Sequence, residues 1–261
     1  SEAWVLTNKK VNTVLEKLNK CPYRLSDVFD KIFQGIATSK DDVYFLYDCR
    51  VINPFEIEGY SKYLKKNVVI ENGLVKPLLK GEDVHRYEPL SSDRFVIFPY
   101  DLSNDKAKLF SEQQIATLFP KGYLYLKECE DELRGREKGR FNNDKWFMFG
   151  RGQGINYGGI PKLLAPEISF GGNFMFDSNG QYYSTTTIYG YIKKEDISIS
   201  YETLLAIMNS RLCWWFLKNT GTVLANGYYR YKPAYLKPMP IPNVSIETDS
   251  AIRTMIKNLL V

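Results

Sequence analysis

The residues best equipped for chemistry in this sequence lie in Phe149-Gly150-Arg151-Gly152-Gln153-Gly154. A GxGxG run after an apolar stretch can cradle the phosphates of a nucleotide or a methyl donor, provided it opens a helix whose first amides face the ligand. Here it is followed by Ile155-Asn156-Tyr157-Gly158-Gly159-Ile160-Pro161, and those glycines and the proline do not start a helix. Cofactor binding is therefore not expected. The same composition suits another task. A basic, pliable loop can mould to a DNA groove, with Arg151 matched to guanine and Gln153 or Asn156 to adenine edges. A glycine-rich turn without a ligand is the alternative reading.

Other chemistries lack parts. The single histidine, His85, can build neither a paired-imidazole metal site nor a His-x-Glu deaminase site, and its neighbours Asp83 and Arg86 suggest a solvated, salt-linked side chain. Cys21, Cys49, Cys129 and Cys213 are far apart in sequence and form no CxxC pair, so free thiols are expected. Asn53-Pro54-Phe55 resembles the Asn-Pro-Pro-aromatic signature of amino-group methyltransferases, but the second proline is missing and no methyl-donor motif precedes it. A turn at a strand end is the expected role. The acids near Asp105-Lys106 and Asp144-Lys145-Trp146 do not complete a metal-dependent nuclease site.

The overall net charge of +5 is too mild to imply a nucleic-acid partner, but its distribution is informative. From Arg134 to Lys162 seven basic residues face two acids. Between Glu202 and Glu247 there is no acid, while Arg211, Lys218, Arg230, Lys232 and Lys237 are present. Each stretch carries +5, so the remainder is net negative. Such polarisation suits a face offered to a polyanion, with chance clustering on solvated surfaces as the alternative. Gly227-Tyr228-Tyr229-Arg230-Tyr231-Lys232 interleaves rings with cations, a pattern that serves stacking on bases and contact with phosphates or, equally, an exposed edge strand.

These segments need a scaffold. Val11, Val14, Leu15 and Leu18 have helical spacing, with Asn8 as the expected cap. Strand-like runs occur at Val28 to Ala37, Val43 to Tyr47, Val68 to Ile70, Val75 to Leu79 and Phe95 to Pro99. Ser111 should cap a helix through Leu118, and Tyr123 to Leu133 reads as another. Further strands are expected at Trp146 to Phe149, Leu163 to Ile168, Asn173 to Phe176 and Thr186 to Tyr191, with Ser178-Asn179-Gly180 as a hairpin turn. Tyr201 to Asn219 carries an apolar helical stripe that places Trp214, Trp215 and Phe216 in the core. Alternating prolines make Lys237 to Pro242 an extended strut before a last helix, Ile246 to Leu260.

This pattern predicts a mixed α/β (α+β) chain with a mainly antiparallel or mixed sheet flanked by helices. Residues 1–242 form one recognition domain, and 243–261 a terminal helix packed on it or leaving it. No apolar run is long enough for a membrane span, and the Ser1-Glu2-Ala3-Trp4 start suggests a piece of a longer polypeptide.

The order of segments resembles the C-terminal specificity domain of TaqI-like DNA adenine methyltransferases, also found in single-chain type IIG restriction-modification enzymes and related to target recognition domains of type I specificity subunits. The resemblance runs nearly end to end. It rests on Phe33-Gln34-Gly35-Ile36-Ala37-Thr38-Ser39-Lys40-Asp41 followed by Val43-Tyr44-Phe45; on Val75 to Tyr87; on Trp146 to Arg151; on Lys162-Leu163-Leu164-Ala165-Pro166; on Leu204 to Arg211; and on Pro238-Met239-Pro240-Ile241-Pro242.

The resemblance implies a module that reads base sequence and positions a duplex for a catalytic domain that flips the target adenine. Its partners would be double-stranded DNA and the methyltransferase domain of the same polypeptide, in the cytoplasm. S-adenosylmethionine, and magnesium where a nuclease is fused, would bind upstream parts of the parent protein, with no cofactor and no catalytic residue in this fragment. The residues expected to face DNA are Thr38, Ser39 and Lys40 in the first loop; Arg140, Arg151, Gln153, Asn156, Tyr157 and Lys162 in the glycine-rich stretch; and Asn226, Tyr228, Tyr229, Arg230 and Lys232 near the end. A protein-interaction domain that docks a partner subunit is the alternative reading.

Overall fold

Two sheets, each backed by its own helices, meet along a seam that carries the loops of interest. The computed structural model describes residues 9–104 and 106–260. The expected cap Asn8, the Ser1-to-Trp4 start and Asp105 lie outside the described residues.

The first sheet orders its six strands Tyr183–Ser184, Val75–Leu79, Phe95–Ile97, Phe45–Asn53, Glu56–Ser61 and Lys66–Glu71. All pairings are antiparallel except that of Tyr183–Ser184 with Val75–Leu79. Helices Glu112–Leu118, Pro120–Glu128 and Glu130–Gly139 accompany it, and Leu74, Tyr125, Leu126, Leu133, Trp146 and Phe149 share one apolar core with its strands. The expected start signal at Ser111 is a full capping box: its hydroxyl accepts from Gln114 N while the Gln114 side chain accepts from Ser111 N. Ser111→Ala should lower stability by about 1 kcal/mol, read as a shift in urea midpoint at unchanged slope.

The second sheet orders Met175–Asp177, Lys162–Pro166, Ile188–Lys193 and Phe29–Gln34, all antiparallel. It shares a core with helices Tyr201–Met208, Arg211–Thr220 and Ile246–Leu259, including Leu163, Phe174, Tyr191, Leu204, Leu205, Phe216 and Ile256. The terminal helix is tied to Tyr201–Met208 by Asp249, whose carboxylate accepts from the Ser200 amide and hydroxyl. The mixed α/β class and mainly antiparallel pairing follow the expectation.

Several local expectations need correction. The single helix expected from Tyr123 to Leu133 is two, Pro120–Glu128 and Glu130–Gly139, which meet at Cys129. Trp146 to Phe149 is a turn, not a strand. Three of its rings are fully buried, so no alternation exists to form a sheet face, and the carbonyls of residues 146 to 148 are taken by the side chains of Arg136 and Tyr44. The strand expected from Val43 begins at Phe45, because Asp41–Tyr44 makes one helical turn started by Thr38 and Lys40. The long helix expected from Tyr201 to Asn219 breaks at Asn209-Ser210. The Asn209 amide pairs with both backbone groups of Phe174 at 2.8 and 2.9 Å, and Ser210 caps the second helix. Finally, Ser178-Asn179-Gly180 does turn the chain, with Gly180 at φ +62°, but the next strand joins the other sheet, so no hairpin forms.

The seam is where Phe29–Gln34 leaves the second sheet and Tyr183–Ser184 leaves the first. Ile36 N donates to Ser184 O at 2.8 Å and Gly35 N to Ile188 O at 3.1 Å. A Cβ at Gly35 would lie 2.2 Å from the carbonyl oxygens of Ser184 and Thr185, so this approach requires glycine.

Candidate nucleic-acid interface

Beyond the seam, residues 37 and 38 pair with the glycine-rich stretch. Gly150 N donates to Thr38 O and Arg151 N to Ala37 O, each at 3.1 Å. Gly150 presses on Ser39, whose Oγ would sit 1.8 Å from an added Cβ. Gly154 has φ +71° and an added Cβ would lie 3.0 Å from Gln34 O. The expected pliable loop is therefore a closely fitted one, and Arg151 leaves it from a fixed base.

A buried cation supplies the fitting. Arg136 is 5% exposed and its guanidinium donates to the carbonyls of Thr38 (2.6 Å), Trp146 (2.6 Å), Met148 (2.8 Å) and Leu133 (2.9 Å). It also lies 4.1 Å from the Phe141 ring centroid. One side chain thus ties the first loop to the residues just before Gly150.

The first-loop candidates divide. Thr38 is fully buried, and its hydroxyl donates to Asp41 Oδ1 and accepts from Lys40 N, so it shapes the loop and cannot meet DNA. Ser39 is exposed at φ +61°, and its hydroxyl donates to Glu137 at 2.8 Å. Lys40 pairs with Glu132 at 2.5 Å, which raises its pKa. Arg140 and Arg151 are exposed and both pair with Glu137, at 2.9 and 2.6 Å. Gln153 is exposed and donates to Gly35 O, Asn156 accepts from Ala107 N, and the Tyr157 ring rests on Phe33 at 4.8 Å.

Lys162 is the clear correction. It is 1% exposed, bonded to Asp177 at 2.6 Å and to the carbonyls of Gly158 and Ile160. Burial pulls the ammonium pKa below its ordinary value against the opposing attraction of Asp177. It pins the loop between residues 158 and 162 and is out of reach of any phosphate.

The second basic segment forms a strand pair with residues 168 and 169, in register Ile168↔Arg230 and Ser169↔Tyr229. Tyr231 turns inward, 1% exposed, its hydroxyl on Gly171 O. Tyr228 is 44% exposed, while Tyr229 packs edge-on against Trp214. Arg230 lies 3.8 Å from Glu167, and Asn226 sits exposed at φ +59° in the turn before Tyr228. Lys232 is half-buried at the start of the helical turn Pro233–Leu236. A residue not anticipated from sequence joins them: Phe170, 64% exposed, its ring 5.9 Å from Tyr228 and 5.8 Å from Trp214. A single loop phenylalanine has no periodicity to betray it.

Each segment puts one residue onto a cleft, Arg151 onto one and Tyr228 onto its neighbour. Ser39, Lys40, Arg151 and Thr186 line one; Lys80, His85, Glu167, Phe170, Thr187 and Tyr228 line the other. Thr186 and Thr187 are consecutive, held by Gln34 Nε2 on Thr186 O and by Gly81 N on Thr187 Oγ1. The sites therefore abut across one peptide step over the seam. The surface is not bare cation, however, because Glu132, Glu137 and Glu167 are threaded through it as ion-pair partners.

His85 is exposed on a cleft wall, and Asp83 bonds Arg94 and Lys80 N instead of the histidine. Burial pushes the thiols of Cys49, Cys129 and Cys213 up to about 12, which removes them as nucleophiles at neutral pH. Among the described residues, no group of three or more His, Cys, Asp or Glu is placed to hold a metal ion.

Comparison with known families decides the class. A family model described as the TaqI-like C-terminal specificity domain matches residues 76–241. The chain belongs to this family. The matched span of this TaqI-like specificity domain holds the glycine-rich stretch, both walls of the second cleft and the Thr186–Thr187 step, and begins after the first loop. The chain is also similar to three curated type II methyltransferases. It is 22% identical to M.XhoI of Xanthomonas vasicola, 21% to M.BanIII of Aneurinibacillus aneurinilyticus and 22% to M.PaeR7I of Pseudomonas aeruginosa. These matches take in 97%, 99% and 93% of this chain but only 42%, 42% and 37% of the relatives. The chain thus spans about two fifths of their length. Among the described residues no helix is long and apolar enough to cross a membrane.

Proposed function

We propose that this chain is the double-stranded-DNA-reading module of a restriction-modification methyltransferase, lying with its seam against the duplex. The observation that carries the reading is the adjacency, across Thr186–Thr187, of a cleft lined by Lys40 and Arg151 and a cleft lined by Lys80, Phe170 and Tyr228. Family membership and the printed identity of the relatives as type II methyltransferases support it. In this reading Arg140, Arg151, Arg230 and Lys232 position the duplex through phosphates, and Gln153, Asn156 and Asn226 present side chains that can read base edges. Phe170 and Tyr228 offer ring faces to bases or sugars. Target-adenine methylation, with S-adenosylmethionine and any nuclease metal, belongs to a catalytic domain of the same polypeptide, acting in the cytoplasm. The fragment binds DNA and leaves the chemistry to that partner.

Titrating a labelled duplex with the purified chain across salt concentrations tests this. Four phosphate contacts give log affinity against log salt a slope of about −3.6. Arg151→Ala should flatten the slope by about 1 if the guanidinium meets phosphate, or cost ~1–3 kcal/mol at one base position if it meets guanine. Affinity that ignores salt, or no affinity for any duplex alone or fused to its catalytic domain, would sink the reading. The competing assembly-domain reading draws on an apolar cleft lined by Leu18, Ile207, Phe216 and Met239, and it predicts salt-insensitive capture of a protein instead.

A further inference from the structure

Three donors, one of them 98 residues away in sequence, aim at one carboxylate. Ser39 Oγ donates to Glu137 Oε1 at 2.8 Å, an Arg151 Nη to the same oxygen at 2.6 Å, and an Arg140 Nη to Oε2 at 2.9 Å. Both guanidinium groups are more than half exposed, while the carboxylate they enclose is 27% exposed. The chain reaches this arrangement through left-handed backbone at Glu137 (φ +48°) and Lys138 (φ +62°), where L side chains are disfavoured. Two guanidiniums and a hydroxyl converging on two oxygens make the donor set that binds a phosphodiester.

We propose that Ser39, Arg140 and Arg151 form a phosphodiester site in which Glu137 is the resident anion, displaced when DNA docks. This deepens the DNA-binding reading above and rests on it. The exchange is one anion for another and involves no proton. The hydrogen bond from Ser39, then that from Arg151, holds the Glu137 carboxyl down to about 2, so it stays ionised at neutral pH. A duplex that draws both arginines onto one phosphodiester displaces the carboxylate at the same cost whatever its sequence. Glu137 therefore lowers affinity for cognate and non-cognate DNA alike and leaves their ratio unchanged.

The experiment compares the whole chain with Glu137→Gln on a random-sequence 30-base-pair duplex, with urea melts to verify folding. The variant should bind about tenfold tighter at moderate salt and steepen the salt slope by ~1–2, as the freed arginines engage phosphates. Adding Arg151→Ala should cancel most of the gain. Asp144→Asn, which removes an exposed acid of the same segment, should move affinity less than about twofold, the effect of one screened charge. Glu137→Ala, which should also tighten binding, serves if the glutamine variant folds poorly. Unchanged or weaker binding by folded Glu137 variants, while the parent chain binds the same duplex, overturns this proposal and leaves the DNA reading standing. A gain equal to that of Asp144→Asn overturns it as well. No duplex binding by parent or variants removes both.

Discussion

Lys162→Met is expected to cost about 3–5 kcal/mol of folding stability and to leave the salt slope of DNA binding unchanged. The first half follows from what the ammonium leaves behind. Asp177 is 3% exposed, and without Lys162 its carboxylate keeps only the amides of Gln181 and Tyr182, which cannot neutralise a charge cut off from water. The carbonyl of Gly158 loses its donor as well. Combining Lys162→Met with Asp177→Asn removes both charges and keeps an acceptor for one of the two amides, so the pair should recover part of the loss. Urea unfolding of the parent, both single variants and the double variant measures the coupling. The second half separates the structural role from the one expected from sequence. A phosphate-contacting lysine would flatten the slope by about 1 on removal, whereas this one, enclosed between a strand and its loop, cannot. A flattened slope in a chain that still folds would restore Lys162 to the interface.

Lys162 also shows where the sequence stopped being legible. A basic residue after a glycine-rich stretch counts toward a cationic patch in any one-dimensional reading, and its partner Asp177 lies 15 positions away on a neighbouring strand. Arg136 is the same case, since its four partners are backbone carbonyls that leave no trace in residue types. Local signals fared better. Ser111 and Gln114 announce their capping box, and the valines and isoleucines of the six-stranded sheet announce strands, because cap and alternation are encoded within a few residues. Asn209 and Ser210 interrupt the run that carries a convincing apolar stripe, and the run is two helices, since the Asn209 amide is spent on Phe174, 35 residues back. The glycines of residues 150 and 154 read as pliability and turned out to be close contacts, because sequence does not say what stands opposite a missing Cβ. The two basic segments were legible as runs of charge. The adjacency of Arg151 and Tyr228 across Thr186–Thr187, the glutamates paired with these segments and the exposed Phe170 depend on tertiary placement.

The remaining large effect concerns Arg136, whose removal should weaken both fold and DNA binding without altering the salt slope. Arg136→Met is expected to lower stability by about 3–5 kcal/mol, because the carbonyls of Thr38, Trp146 and Met148 lose a charged donor in a region too enclosed for water to replace it fully. Arg136→Lys keeps the charge but has one nitrogen where the guanidinium uses three, and it should fall between the parent and the methionine variant. Thr38 and Met148 lie directly before Ser39 and Phe149-Gly150-Arg151, so loosening their carbonyls frees the base from which Ser39 and Arg151 project. Affinity for DNA, measured where the variant is still folded, should fall about tenfold, which corresponds to ~1.4 kcal/mol of lost preorganisation. The slope of log affinity against log salt should nonetheless match the parent, since a 5% exposed guanidinium engaged with four carbonyls releases no counterion from DNA. A slope flattened by one unit would make Arg136 a phosphate ligand. Full affinity in a destabilised variant would mean that the loop needs no clamp. Only loss of affinity at constant slope identifies a cation buried to hold the reading loop in place.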